Sequence, residues 1–82
     1  PVIYSISPTT GPLAGGTSVT IVGVNFTGAM TVKFGGSVAT FTIIDPLQIV
    51  ATSPSQAVTG PYDVSVTTTY GTFISHGAFS YT

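Results

Sequence analysis

The sequence has no cysteine and no tryptophan. Without cysteine there is no disulfide to brace the fold, no thiol nucleophile and no thiolate metal site. Charge is almost as scarce. Lys33, Asp45 and Asp63 are the only charged side chains, 4% of the chain, against about 25% in an ordinary domain. One basic residue cannot neutralise the several phosphates that nucleic-acid binding requires. Nor can it hold the chain to an anionic membrane surface. No apolar run approaches the roughly 18 residues of a membrane-spanning helix, so no membrane insertion is expected. His76 is the only histidine, and a zinc site needs three or four ligands.

Hydroxyl groups stand where charge is missing. Thr and Ser make up 24 of the 82 residues. Solubility then rests on uncharged polar groups, whose interactions salt barely screens. Such a surface suits a secreted or cell-surface protein, or one domain of a longer chain whose charge lies elsewhere. The start at Pro1, with neither methionine nor a leader, points to a domain taken from a larger multidomain protein. At this length residues 1–82 form a single domain near the lower limit of independent folding. A monomer of modest stability is expected, held by an apolar core and sheet hydrogen bonds.

Thr, Val, Ile, Tyr and Phe dominate, and all favour strands. Gly and Pro interrupt them about every eight to twelve residues, the spacing of a sandwich or barrel. The pattern predicts seven strands: 2–7, 17–22, 30–34, 38–44, 48–53, 62–68 and 72–81. Val19 and Ile21 face inward, as do Val32 with Phe34 and Val64 with Val66. Phe79 and Tyr81 share a face, and Gly77 marks a bulge. Gly35-Gly36 reads as a tight reversal with positive φ. The segment "ISPTTGPLAGG" is dense in breakers. Pro8 ends the first strand, and Gly15-Gly16 permits a backbone path closed to residues with a Cβ. Such punctuation lets the chain leave one sheet and join another.

That same stretch carries a family resemblance. Pro8, Gly11-Pro12, Gly15-Gly16, the Thr-rich alternation of "TSVTIVG" and then Asn25-Phe26 resemble the opening of the IPT/TIG family. This is an immunoglobulin-like module shared by plexins, Rel-type transcription factors and many bacterial surface proteins. "VKFGGSVAT", "LQIVATSPS", "GPYDVSVTT" and "GAFSYT" resemble its later segments, in order and over the whole chain. The resemblance implies an all-β, early-set immunoglobulin-like antiparallel β-sandwich. It also implies structural roles for Gly15, Gly16, Phe26, Phe34, Gly35, Phe79 and Tyr81, with Phe26 plugging one end of the core.

Chemistry is sparse. A solvent-facing position is expected for His76. Asp45, before Pro46, reads as a turn-former, and Asp63, at a strand entry, as a partner of nearby backbone. They do not form the facing pair of a glycosidase, and two isolated carboxylates do not make a calcium loop. No catalytic residue, cofactor or metal is expected. "NFT" at 25–27 matches the N-glycosylation triplet, which acts only in a eukaryotic secretory host. Tyr4, Tyr62, Tyr70 and Tyr81 are the candidates for binding. Tyr70 stands beside Gly71 at a hairpin tip, with Thr68, Thr69 and Thr72 supplying hydroxyls, so this tip is the expected contact for any ligand.

Three functions follow as expectations. The first is a non-catalytic spacer or interaction module of a secreted or cell-surface multidomain protein, of the bacterial type the resemblance implies. Its partners are neighbouring domains of the same chain, or a protein or polysaccharide. The second is a carbohydrate-binding accessory domain of a secreted polysaccharide-processing enzyme. It calls for several exposed aromatics in one plane. The third, a dimerisation module of a DNA-binding factor, calls for basic residues that this chain lacks.

Overall fold

The computed structural model describes residues 1–82 as eight strands with no helix. They are β1 (Val2–Ser7), β2 (Thr10–Gly11), β3 (Ser18–Val24), β4 (Thr31–Phe34), β5 (Ser37–Asp45), β6 (Gln48–Thr52), β7 (Gly60–Thr68) and β8 (Gly71–Tyr81). Hydrogen bonding runs in the order β1-β3-β6-β5-β4-β7-β8-β2, one sheet curled over on itself. The fold occurs at β5. Its residues Ser37–Ala39 pair with β4, whereas Thr40–Asp45 pair with β6. One long strand thus serves both walls of the immunoglobulin-like sandwich.

The alternation that predicts the strands also builds the core. Val19 and Ile21 on β3 and Ile49 and Ala51 on β6 are fully buried on one wall. Val32 and Phe34 on β4, Val64 and Val66 on β7 and Phe79 on β8 are fully buried on the other. Phe34, Phe79 and Tyr81 stack edge to face, with centroids 5.1 Å apart at each step, and Tyr62 meets Tyr81 at 5.0 Å. Edge-to-face contact sets the positive rim of one ring against the negative face of the next. Phe26, in the β3–β4 connection, is fully buried.

Two features depart from the seven-strand antiparallel expectation. The eighth strand, β2, is only two residues long. It runs parallel to β8, with Thr10 opposite Ser80 and Gly11 opposite Tyr81. At the β4–β5 turn only Gly35 has positive φ, at 65°; Gly36 does not. The Tyr62 ring lies across Gly35, where an added Cβ would stand 2.7 Å from Tyr62 Cδ2. The bulge at Gly77 is present. Tyr62 pairs with Phe79 and Val64 with Ser75, so three β8 residues face one on β7.

Register places the connections at two ends. Val2 lies opposite Val24, Val22 opposite Gln48, and Thr31 opposite Thr67. Pro1, the β3–β4 connection, the β5–β6 turn and the β7–β8 tip therefore share one end, called here the amino end. Gly60 lies opposite Tyr81, which puts Thr82 and the β6–β7 connection at the other, carboxyl end. β8 has eleven residues, and at about 3.3 Å per residue it accounts for the 31 Å long dimension of the 31 × 19 × 18 Å domain.

Candidate functional site

The β7–β8 hairpin closes on Thr68 opposite Gly71, leaving Thr69 and Tyr70 at the tip. Thr68 continues the inward parity of Val64 and Val66, and it is buried. Its hydroxyl accepts the Tyr70 N–H at 3.1 Å, which satisfies a backbone donor that the turn leaves free. Thr68 is thereby withdrawn from the contact set expected from sequence, because its hydroxyl faces the protein. Thr69 and Thr72 are exposed. Thr72 Oγ1 lies 2.9 Å from Thr67 Oγ1, so it is already partly engaged across the ladder. Tyr70 is 86% exposed, the most exposed large apolar side chain of the chain.

The other tyrosines divide. Tyr81 is buried, and its hydroxyl donates to the Pro54 carbonyl at 2.7 Å. Burial pushes its phenol up from the ordinary value, because the anion would lose its hydration. Tyr62 donates to the Val58 carbonyl at 2.6 Å while its ring covers Gly35. Both tyrosines belong to the structure. Tyr4 stands exposed at the bulge between Ile3 and Ser5 on β1.

Two residues that sequence reasoning did not single out join Tyr70 at the amino end. Met30 donates its N–H to the Thr67 carbonyl at 2.8 Å, and the Leu47 carbonyl accepts the Gly23 N–H at 2.9 Å. Both side chains are more than half exposed. They sit on connections far apart in sequence, so only the fold collects them. The carboxylate nearest to them belongs to Asp45, which accepts the Leu47 N–H at 2.7 Å and so shapes the turn from within.

Asp63 works across strands. Its Oδ1 accepts the Gly77 N–H at 2.8 Å, and Oδ2 lies 3.3 Å from His76 Nδ1. The Gly77 bond holds the Asp63 carboxyl below its usual value against the opposing effect of desolvation, with the His76 contact adding a lesser lowering. A lowered folded-state value means that this support of the bulge is complete above the ordinary carboxylate range. It is lost as the pH falls through the folded value. His76 and Asp63 are both well exposed. No three His, Cys, Asp or Glu side chains converge.

The carboxyl end is tied by polar contacts around Ser53 and Gln56. The Ser53 hydroxyl accepts the Thr17 N–H at 3.0 Å, its carbonyl accepts the Gly16 N–H at 2.8 Å, and its own N–H donates to the Thr17 carbonyl at 2.9 Å. Gln56 Nε2 donates to the Phe34 carbonyl at 2.9 Å, and the Gln56 N–H to the Leu13 carbonyl at 2.9 Å. These bonds seat the Gly-rich entry to β3 against the β6–β7 connection. They are structural.

The family model for the IPT/TIG domain matches residues 1–82. The chain belongs to the IPT/TIG family. Among curated proteins this IPT/TIG domain is similar to Protein MGA2 of Saccharomyces cerevisiae. The two are 39% identical over 70 residues, covering 84% of this chain and 6% of that protein. Among solved structures it is similar to the plexin A4 full extracellular region, with a TM-score of 0.87 and 26% identity over 99% of this chain and 8% of that one. SGBP-B, from a complex xyloglucan utilization locus in Bacteroides uniformis, has a TM-score of 0.73 and 22% identity. That match covers 94% of this chain and 22% of that one, and shows the shared fold alone. The IPT/TIG domain thus spans a small part of each protein it matches.

Proposed function

We propose that this IPT/TIG domain is a non-catalytic spacer and interaction module within a longer extracellular chain. The observation that carries this reading is the placement of Pro1 and Thr82 at opposite ends of the 31 Å axis. A chain entering at one end and leaving at the other is advanced by the length of the domain. The similarity to the plexin A4 extracellular region supports the location. The small share of each relative that the domain spans supports its place beside other domains. The scarcity of charge suits a module whose contacts vary little with ionic strength.

The surface supplies little for a sugar-binding platform. Stacking on a polysaccharide needs several aromatic faces in one plane. Of the four tyrosines, Tyr62 and Tyr81 are committed to the fold, which leaves Tyr4 and Tyr70. If any ligand is bound, the Tyr70 tip with Thr69 and Thr72 is the contact, since tyrosine offers a stiff amphipathic ring at low entropic cost. Titrating the isotope-labelled domain with soluble glucans, xyloglucan included, should leave its amide resonances unmoved. Shifts confined to Thr69–Thr72 would replace the spacer reading with a tip-binding one. Shifts across β3 and β6 with Tyr70 silent would point to a sheet face instead.

A further inference from the structure

We infer that the domain resists tension applied along its long axis, with the β2–β8 pair as its clamp. The inference rests on the spacer reading, because a domain whose ends leave in opposite directions transmits any pull on the chain. What matters is how the first and last strands are held. β1 runs from the amino end toward the carboxyl end and is antiparallel to β3, in register from Val2↔Val24 to Ser7↔Thr20. A pull on Pro1 draws β1 along its own axis. Its ladder is then loaded all at once, not opened from one side.

The carboxyl end is held in the same way. β8 reaches Tyr81 beside Gly60, and a pull on Thr82 draws it lengthwise past its neighbours. One of those neighbours is β2, which follows β1 directly in the chain. The Thr9 carbonyl accepts the Ser80 N–H at 2.8 Å, and the Gly11 carbonyl accepts the Thr82 N–H at 2.9 Å. The first eleven residues are therefore bonded directly to the last three. Because the two strands are parallel, tension at Pro1 and Thr82 drives them past each other in shear. Gly11 keeps the pair seated. A Cβ there would stand 2.6 Å from Thr17 Oγ1 and 2.8 Å from Phe79 Cζ, so the β2 backbone lies directly on the core. A strand pair loaded in shear must break its bonds together, whereas a pair pulled open at one end breaks them in turn. Bonds that are individually weak resist together only in the first geometry.

Single-molecule pulling tests this on the 82-residue chain, which has no cysteine to compete with engineered handles. Handles at Pro1→Cys and Thr82→Cys load the clamp in shear. Handles at Thr59→Cys and Thr82→Cys both lie at the carboxyl end and open β7 from β8 in sequence. The unfolding force should be several-fold higher in the first geometry. Replacing Ser80 by Pro removes the donor to Thr9, and because that N–H points to β2 it takes no bond from the ladder with Pro61 and β7. This variant should lower the force in the first geometry, by taking one loaded backbone bond from the clamp. It should leave the second geometry unchanged. If Ser80→Pro does not fold, Thr9→Gly with Thr10→Gly, which loosens β2 and the residue before it without touching the core, should also lower the force in the first geometry alone. Equal forces in the two geometries would overturn the inference. That result would leave an unloaded spacer, whose own test is the glucan titration.

Discussion

Phe26→Ala destabilises the domain by about 3–5 kcal/mol, the usual cost of emptying a fully buried phenylalanine site. Phe26 is completely buried and closes the core between the two walls at the amino end, beside the β5–β6 turn. Its backbone is fixed on both sides: its N–H donates to the Pro46 carbonyl at 3.0 Å, and its carbonyl accepts the Ala29 N–H at 3.0 Å. The flanking Asn25 is held at φ 61°, so the connection cannot easily collapse into the space left behind. Phe34→Ala should cost a similar amount, because Phe34 lies at the head of the Phe34–Phe79–Tyr81 stack. For a domain of this size the total stability is on the order of 4–12 kcal/mol, and no disulfide makes up the loss. Denaturant unfolding of each variant is the measurement. A cooperative Phe26→Ala protein with an unchanged midpoint would show that the core does not depend on this plug.

Gly15→Ala and Gly16→Ala should differ sharply, although the two residues are adjacent and share a positive φ of 78° and 84°. Each substitution incurs the left-handed penalty of about 1–2 kcal/mol. At Gly16 nothing lies within 4 Å of the added Cβ, so that penalty is the whole effect. At Gly15 the Cβ would stand 2.7 Å from the Ser53 carbonyl oxygen and 2.8 Å from both Pro54 C and Ser55 N. These are backbone atoms and cannot rotate away. The β6–β7 connection must move, and the Gly16–Ser53 and Thr17–Ser53 bonds move with it. A further loss of about 1–3 kcal/mol from unmade buried hydrogen bonds is expected. Paired thermal melts decide the matter: Gly15→Ala should melt well below Gly16→Ala. Equal midpoints would mean that the two glycines serve φ alone.

Much of this architecture was legible because the chemistry of strands is periodic. The alternation in "TSVTIV" and "YDVSV" places Val19, Ile21, Val64 and Val66 without any knowledge of the partner strands. β2 was not legible, because two residues between Pro8 and Pro12 have no period to read. Their pairing is set by β8, seventy residues away. The passage of β5 between walls was hidden for a related reason. Its alternation is the same on both sides of Thr40, and only the change of partner reveals the crossing. At the tip, Tyr70 could be read from its neighbour Gly71. Thr68 could have been read too, since it keeps the parity of Val64 and Val66 in the predicted strand 62–68, but its place beside the turn suggested a hydroxyl open to a ligand. Met30 and Leu47 carried no signal at all. Each is an isolated apolar residue at the edge of a connection, and the fold alone brings them to the end that holds Tyr70. Asp63 was read as a partner of nearby backbone. The backbone it bonds is near in space, across the Gly77 bulge, and fourteen residues away in sequence.

The central claim is that the domain carries its chain straight through, and the separation of its two ends tests this most directly. Spin labels on Pro1→Cys and Thr82→Cys should report a single narrow distance that approaches the 31 Å long dimension. The same distance should persist when soluble glucans are added. A separation near the 18–19 Å short dimensions would place both ends on one side and contradict the account.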